Sequence, residues 1–315
     1  MTRIFFTSDI HGSEICFRKF INAGKFYQAD VLILGGDITG KVMIPLVRQA
    51  NGHFTARLMG ADETAASANE LQALEKRIRN AGYYPYRTEP DEMGILRQDA
   101  ERVNQILEHL MRQTLSNWLQ LAEERLKPQN IPCFISPGND DPYAIDAVLA
   151  QANWAQNPEG RAVQLDDDHE MISCGYSNLT PWSCPRDTTE DRLAEMIAAM
   201  VSRVHDPTTC IFNLHCPPYN TLIDAAPKLD ENLHMVASIE GSEMVSVGST
   251  AVRSAIEKHQ PLLGLHGHVH EGRGKDRLGR TTVVNPGSEY GEGVLRGALV
   301  DISRGTLKSL TLTSG

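Results

Sequence analysis

The chain has 315 residues, of which 41% are apolar, and a formal net charge of −10. This length and composition predict one large domain, or one domain with an insertion, and exclude collagen-like and broadly disordered chains. The negative charge repels polyanions, which argues against binding to nucleic-acid polymers but not against a small phosphate ester as substrate.

The same composition bears on location. No apolar run is long enough to cross a bilayer, and the first predicted strand begins within three residues, which leaves no room for a secretory signal. The 6 cysteines show no C-x-x-C pair and are interpreted as reduced thiols. We therefore expect a cytoplasmic protein without membrane contact, and we leave its oligomeric state open.

Short apolar runs predict strands, and polar motifs directly follow several of them. The runs are Arg3–Ser8, Val31–Leu34, Ile131–Ser136, Cys210–Leu214 and Leu262–Leu265. The motifs, in the same order, are Asp9-Ile10-His11, Gly36-Asp37, Gly138-Asn139-Asp140, His215 and Gly267-His268-Val269-His270. Loops at strand ends face one rim of a sheet and hold ligands rigidly. Because imidazole, carboxylate and amide oxygens suit divalent first-row metals, the set predicts a metal site.

The interval between the second and third motifs is long. Residues 41–128 are predicted to form a helical insertion and a candidate lid, with helices around Thr64–Asn80 and within Glu92–Leu126. A short strand is predicted near Phe54–Met59, and Tyr83–Arg87 is interpreted as a loop that reaches outward. Aromatic and arginine side chains in this loop could grip a substrate, but packing is the favoured interpretation.

The remaining elements alternate between helices and strands. Further helices are predicted at Ser13–Ala23, Pro142–Ala150, Asp187–Val204 and Thr250–His259. Further strands are predicted at Arg161–Leu165, Glu170–Gly175, Thr281–Val284, Gly297–Ile302 and Thr306–Leu312. Ser13 is expected to cap the first helix, and the proline and glycine residues of Cys216–Thr250 predict a long loop.

The ordered motifs resemble the calcineurin-like metallophosphoesterase superfamily, whose pattern is D-x-H, G-D, G-N-H-[DE], H, G-H-x-H. The match runs from Asp9 to His270, and Asn285–Ser288 resembles the segment that follows in small bacterial and archaeal phosphodiesterases of this superfamily. The resemblance implies an α/β fold, namely a four-layer β-sandwich flanked by helices, here with the helical insertion. It also implies hydrolysis of phosphate esters with two divalent metal ions, for which Mn²⁺, Fe²⁺ and Zn²⁺ are all suitable.

The resemblance assigns a role to each motif residue. The implied metal ligands are Asp9, His11, Asp37, Asn139, His215, His268 and His270. One ion would be coordinated by Asp9, His11 and His270, and the other by Asn139, His215 and His268. Asp37 would bridge the two ions. A hydroxide shared by the ions would attack phosphorus in line. Asp37, Asn139 and Asp140 are the predicted catalytic residues.

The third motif departs from the superfamily pattern, because Asp140 stands where histidine is usual. A carboxylate there repels a dianionic monoester more than a monoanionic diester. This favours a phosphodiesterase acting on a small or nucleotide-like ester. The alternatives are a phosphomonoesterase, such as a nucleotidase or protein phosphatase, and a non-catalytic metal-binding scaffold. Asp140 could also face away and cap the helix near Pro142, a role for which Asp141 is the better candidate.

Other polar residues receive weaker assignments. His266 is predicted to be structural or to support the ligands. The remaining histidines are predicted to lie on the surface: His53, His109, His169, His205, His234 and His259. The Asn285–Ser288 turn could donate backbone N–H groups to phosphate.

Overall fold

The computed structural model describes residues 1–238 and 241–315 and is built around two large β-sheets. The strands of the first sheet lie in the order Thr306–Ser314, Arg296–Ser303, Thr2–Thr7, Val31–Leu34, Cys133–Ile135. Those of the second sheet lie in the order Gly274–Leu278, Thr281–Asn285, Leu263–Leu265, Ile211–Leu214, Glu170–Cys174, Ala162–Gln164. Every strand predicted to precede a motif is present.

The motif-bearing strands are parallel neighbours within their sheets. Thr2–Thr7 pairs in parallel with Val31–Leu34, which pairs in parallel with Cys133–Ile135. In the second sheet, Ile211–Leu214 pairs in parallel with Leu263–Leu265. Because parallel strands end at the same edge, the loops that carry the motifs of one sheet meet at one rim.

The two sheets pack face to face with helices outside both. Side chains alternate along the first strand: Phe5 packs on the helix side, whereas Ile4 and Phe6 pack between the sheets with Leu263 and Val284. These side chains are all buried, as expected for strands covered on both faces. The predicted four-layer fold is therefore confirmed.

The helices that cover the sheets have the following bounds. They are α1 (Glu14–Phe26), α2 (Ala68–Asn80), α3 (Pro90–Leu96), α4 (Ala100–Leu126), α5 (Asp146–Ala150), α6 (Glu190–Val201) and α7 (Thr250–His259). Short 3₁₀ turns lie at Lys127–Gln129, Tyr143–Ile145 and Tyr290–Glu292. Helices α1 and α4 pack on the first sheet, and α6 and α7 on the second.

Some of these helices begin with a side chain that caps the first turn, and others do not. Ser249 accepts a hydrogen bond from the backbone N–H of Val252 at 3.1 Å, and α7 has the predicted bounds. Ser13 occupies the residue before α1, but its hydroxyl donates to the Asn80 carbonyl at 2.7 Å and makes no cap. The expected Ser13 cap was therefore wrong, and this hydroxyl instead ties α1 to the end of α2.

The predicted helical insertion also contains a four-stranded sheet. Its strands lie in the order Ala61–Ala65, Phe54–Leu58, Met43–Arg48, Tyr84–Thr88. The predicted helix start at residue 64 and the outward loop Tyr83–Arg87 were therefore wrong. Ala61–Ala65 is a largely exposed edge strand, so no apolar alternation marks it in the sequence. The lid role stays a prediction.

The long helix α4 joins the insertion to the rest of the fold. Leu115, Trp118 and Ala122 are buried against the first sheet's helix side. The Trp118 ring stacks on Phe17 of α1, with 4.4 Å between ring centroids and an interplanar angle of 7°. These contacts fix the C-terminal half of α4, near the end of the insertion, against α1 and the first sheet.

Much of Cys216–Thr250 is irregular, as predicted, apart from short paired strands, and residues 239–240 of it lie outside the described part. The short pairs within it are Ala225–Pro227 with Met244–Ser246 and Ala237–Ser238 with Gly241–Ser242, whereas a further pair, Ser177–Asn178 with Asp187–Thr188, precedes it in the chain. No helix among the described residues is both long enough and apolar enough to span a membrane.

Candidate metal centre

The predicted ligands converge at the rim where the strands end. Two groups of donor atoms that share no residue lie there, Asp9 with His11 and His270, and Asp37 with His215 and His268, and a third group, His11 with Asp37 and Asp140, overlaps both. Within each group, the donor atoms lie within 4.8 Å of one another. The His270 side chain is 36% exposed and that of His11 is 8% exposed, so the centre opens toward His270.

Asp37 lies between the two groups. Its Oδ2 is 3.7 Å from Nε2 of His11 and 3.3 Å from Nε2 of His215. Its Oδ1 accepts a hydrogen bond from the backbone N–H of Asp140 at 3.0 Å. One oxygen is therefore fixed by the protein, while the other faces both groups, which is the position that a bridging carboxylate requires.

The backbone of several candidate ligands is strained. The φ angles of Asp9, His11, Asp37 and His268 are +56°, +38°, +49° and +67°, in the left-handed region. Such residues cost about 1–3 kcal/mol each and persist where surrounding contacts enforce them. Here the His11 backbone N–H donates to the Asp37 carbonyl at 3.0 Å. Strain concentrated at the proposed ligands is typical of a functional site.

Two motif glycines are required by close packing against the carboxylates. A Cβ atom at Gly138 would overlap the Asp37 carboxylate, and one at Gly267 would overlap Asp9 and Ser8. Only glycine lets these backbones approach so closely. Gly138 and Gly267 thus let the backbone before Asn139 and His268 pack directly against the carboxylates of Asp37 and Asp9.

Hydrogen bonds orient the ring of His215 toward the carboxylates. Its Nδ1 lies 3.0 Å from the Gly35 carbonyl oxygen, which therefore accepts the Nδ1–H. Its Nε2 is buried and makes no well-directed hydrogen bond, although Asp37 Oδ2 lies 3.3 Å away. Burying an unpaired polar atom costs about 1–3 kcal/mol, and a metal ion would satisfy it.

Asn139 and His268 are held in a similar way. The Asn139 amide donates to Asp187 Oδ1 at 2.9 Å, which turns its carbonyl oxygen to within 2.9 Å of His268 Nδ1. The other ring nitrogen of His268 lies 3.2 Å from the Ser177 hydroxyl. Asp187 and Ser177 were not predicted as site residues, since one was assigned to a helix start and the other follows no motif.

Electrostatics within the centre favour bound cations. Burial alone would raise the pKa of Asp37, but the neighbouring His215 imidazole outweighs it, and that pKa is lowered. Burial alone would likewise lower the pKa of His215, but Asp37 raises it to about 10. Burial and the charge of His215 lower the pKa of His268 to about 4. The buried carboxylates thus require a nearby positive charge, and the nitrogen, carboxylate and amide donors fit divalent metal ions.

Asp140 faces this centre and does not cap a helix. Its Oδ2 pairs with the Lys41 ammonium and lies 4.0 Å from His11 Nδ1. Its Oδ1 accepts a hydrogen bond from the Cys184 thiol at 2.7 Å. Burial and the bond to Asp140 raise the pKa of Cys184 to about 12, so this thiol is a donor rather than a nucleophile.

The predicted helix cap at Asp141 was wrong. Its buried carboxylate accepts hydrogen bonds from the backbone N–H groups of Ile38 at 3.0 Å, Thr39 at 2.8 Å and Gly138 at 2.8 Å. The Thr39 hydroxyl donates to it as well, at 2.7 Å. Asp141 therefore joins the loop that carries Asp37 to the loop that carries Asn139.

Among the other histidines, His266 is structural, as predicted. Its Nδ1 lies 2.7 Å from the Leu214 carbonyl oxygen, and burial lowers its pKa to about 4. The surface assignment of His169 was wrong, because that side chain is buried, 2.7 Å from Asp166 and 3.1 Å from the backbone nitrogen of Gly305.

Two further substrate-contact hypotheses have clear outcomes. In the Asn285–Ser288 turn, the Gly287 N–H donates to Asn285 Oδ1 and the Ser288 N–H to the His270 carbonyl, so these groups are engaged within the protein. In the insertion, Arg87 pairs with Glu75 at 2.6 Å, which agrees with the favoured packing interpretation.

Tyr290 lies two residues after that turn. Its ring lies 4.8 Å from the His11 ring and 6.1 Å from the His270 ring, measured between centroids. It therefore forms part of the wall on the open side of the centre.

Comparison with known proteins supports the fold. No protein-family profile matches the chain. The uncharacterized protein MJ1162 of Methanocaldococcus jannaschii is 31% identical over 153 residues, which cover 48% of this chain and 61% of that protein, less than two thirds of its length. TT1561 of Thermus thermophilus has a similar structure, with 16% identity over 100% of this chain and 98% of that chain and a TM-score of 0.56. At this identity, the likeness concerns the fold alone.

A phosphoesterase from E. coli also aligns, over 98% of each chain, with 11% identity and a TM-score of 0.33, a score at which the likeness does not bear on function. The fold expected from the calcineurin-like resemblance is the fold of this chain. Its activity has to be argued from the centre itself.

Proposed function

We propose that this chain is a metal-dependent phosphoric ester hydrolase of the calcineurin-like type that uses two divalent ions. The observation that carries the proposal is the position of Asp37, with one oxygen facing both ligand groups and the other fixed by the Asp140 N–H. A purely structural cluster has no need for a carboxylate between two strained ligand groups. The buried Nε2 of His215, which makes no well-directed hydrogen bond, supports the same conclusion.

The residues divide into those that hold the ions and those that orient the holders. Asp9, His11 and His270 would hold one ion, Asn139, His215 and His268 the other, and Asp37 both. Asp187, Ser177 and the Gly35 carbonyl orient the second set through the hydrogen bonds described above. Two divalent ions held there would supply Lewis acidity, lowering the pKa of a water molecule and neutralising phosphoryl oxygens.

We favour a small or nucleotide-like phosphodiester as the substrate. Asp140 replaces the usual histidine, and with Lys41 it forms a neutral pair, whereas a histidine there can carry a positive charge. The centre thus offers a dianionic monoester less attraction than a histidine-containing one would. No imidazole at this position donates a proton to the leaving oxygen, so we expect the rate to depend steeply on leaving-group acidity.

The test combines metal analysis with two substrates. The purified protein, supplied with Mn²⁺, should bind two ions per chain and give a higher kcat/KM for a bis-aryl phosphodiester than for an aryl phosphomonoester. A ratio in favour of the monoester would identify a phosphomonoesterase. Two bound ions without turnover of either ester would identify a metal-binding scaffold, and no bound metal would refute the proposal altogether.

A further inference from the structure

Lys41 reaches the metal centre although it belongs to no motif. It lies just after the Asp37 loop, where the insertion begins, and its ammonium pairs with the Asp140 carboxylate. Its side chain remains 54% exposed, whereas that of Asp140 is 13% exposed. The lysine therefore lies on the accessible side of this pair.

The contacts of Asp140 explain how the ammonium is held. The Asp140 backbone is fixed by its N–H bond to Asp37, and its Oδ1 is fixed by the Cys184 thiol. The Lys41 ammonium therefore pairs with Oδ2, the oxygen that the Cys184 thiol does not contact. An ammonium group has three N–H donors, and the contact with Oδ2 occupies one of them. The others remain for an anion on the exposed side.

A carboxylate beside a phosphate site is unfavourable unless its charge is compensated. Asp140 Oδ2 lies 4.0 Å from His11 Nδ1, so it is next to the proposed ion-binding groups. With Lys41 present, the pair adds no net charge. Without Lys41, the same position presents a negative charge to any incoming phosphate, and a dianion is repelled more than a monoanion.

We propose that Lys41 is a substrate-binding residue whose ammonium contacts a non-bridging phosphate oxygen, and that Asp140 positions it. The pair thereby sets the relative acceptance of monoanionic diesters and dianionic monoesters. This inference rests on the proposed function, because it concerns the same centre, but it can be tested by anion binding as well as by turnover.

The consequence is an asymmetric coupling between the two residues. Lys41→Met removes an attraction and exposes the charge of Asp140, so kcat/KM should fall about 100-fold for an aryl monoester and about 10-fold for a bis-aryl diester. Adding Asp140→Asn to Lys41→Met removes the exposed charge and should restore monoester turnover about 10-fold relative to the single variant. Lys41→Arg keeps the cation and should retain most of the activity toward both esters.

The experiment is a double-mutant cycle on the Mn²⁺-loaded protein. Wild type, Lys41→Met, Asp140→Asn and the double variant are compared by kcat/KM for both esters, by calorimetric Kd for inorganic phosphate, and by metal content. Lys76→Met, an exposed lysine on α2 of the same insertion, is the matched control and should behave as wild type.

The proposal is supported if Lys41→Met keeps the metal content of wild type, binds phosphate at least about 10-fold more weakly, and loses monoester more than diester turnover with recovery in the double variant. It is overturned if Lys41→Met binds phosphate as wild type does, or if both esters decline equally without recovery. Should wild type bind two ions but hydrolyse neither ester, the proposed function fails. The phosphate Kd still decides the role of Lys41, with weaker binding in Lys41→Met supporting the contact and unchanged binding refuting it.

Discussion

The stability of this protein should depend on pH through Glu159, which lies outside the metal centre. Its Oε2 accepts a hydrogen bond from the Gly175 N–H at 2.8 Å, while its Oε1 is buried without a partner. Burial raises the pKa of this carboxyl from 4.5 to about 7, although the Gly175 N–H and the Arg186 charge oppose the shift. The folded protein therefore binds the Glu159 proton more tightly than the unfolded chain does.

The sign and size of the effect follow from this shift. Because the folded-state pKa is above the unfolded value, the contribution of Glu159 to stability is fully present below pH 4.5 and is lost as the pH rises through about 7. A shift of about 2.5 units, at 1.36 kcal/mol per unit, corresponds to about 3 kcal/mol in the free energy of unfolding.

Glu159→Gln isolates this contribution, since the amide has nearly the shape of the protonated acid and does not ionise. Urea unfolding of both proteins between pH 4.5 and 8.5 should give similar stability at the acid end. At the alkaline end, the variant should be more stable by about 3 kcal/mol. Glu231→Gln, at an exposed position, is the control and should differ from wild type by less than about 0.5 kcal/mol at every pH. Parallel profiles for wild type and Glu159→Gln would refute the reasoning.

Further predictions concern the ligands. Asp37→Asn should lower the metal content below two ions and nearly abolish hydrolysis, because Oδ2 faces both ligand groups. Elemental analysis and turnover assays test this prediction. Two tightly bound ions together with a normal rate of hydrolysis would contradict it. His268→Ala and His270→Ala should each retain about one ion, with different affinities in chelator competition; two ions in both variants would make the pair structural. Asp187→Ala should weaken the affinity for one ion about 10–100-fold, because Asn139 loses the acceptor that orients its amide; an unchanged affinity in a metal titration would exclude that role.

The convergence of the motifs at one rim could be predicted because the physics that positions the motifs is local, whereas the assignment of their residues as metal ligands came from the calcineurin-like resemblance and stays a prediction. His215 directly follows a buried strand and Asp9 lies two positions after the end of another, and buried strands are visible as short apolar runs. Once the strands are known to be parallel, the order of these runs and motifs along the chain determines which loops lie at the same rim of a sheet. The contacts of Asp141 with Ile38 and Thr39 could not be predicted in this way, since they join residues about a hundred positions apart. Nothing in the local sequence separates Asp141 from an ordinary helix cap.

The insertion shows a different limit. The face of α4 is marked by apolar residues at helical spacing, and its helix was predicted. Strands such as Ala61–Ala65 lie at an edge, exposed on much of their surface, and therefore carry no period of two in hydrophobicity. The pairing of these strands is specified by contacts with neighbouring strands rather than by a hydrophobic pattern in their own sequence. Secondary structure in the insertion was therefore predicted correctly where burial imposes a periodic pattern of apolar residues on the sequence, and wrongly where it does not.

Asp140 shows why the charge of one residue does not give the charge of a site. In the sequence it is a carboxylate in place of an imidazole, and on its own it implies repulsion of every phosphate dianion. In the fold, its Oδ2 meets the Lys41 ammonium and its Oδ1 a thiol donor. The Lys41 ammonium thereby compensates the repulsion between Asp140 and a phosphate dianion. Discrimination between diesters and monoesters then depends on the Asp140–Lys41 pair rather than on Asp140 alone. The preference for diesters should accordingly be modest in wild type and should sharpen when Lys41 is removed, which follows from the pair and not from Asp140 alone.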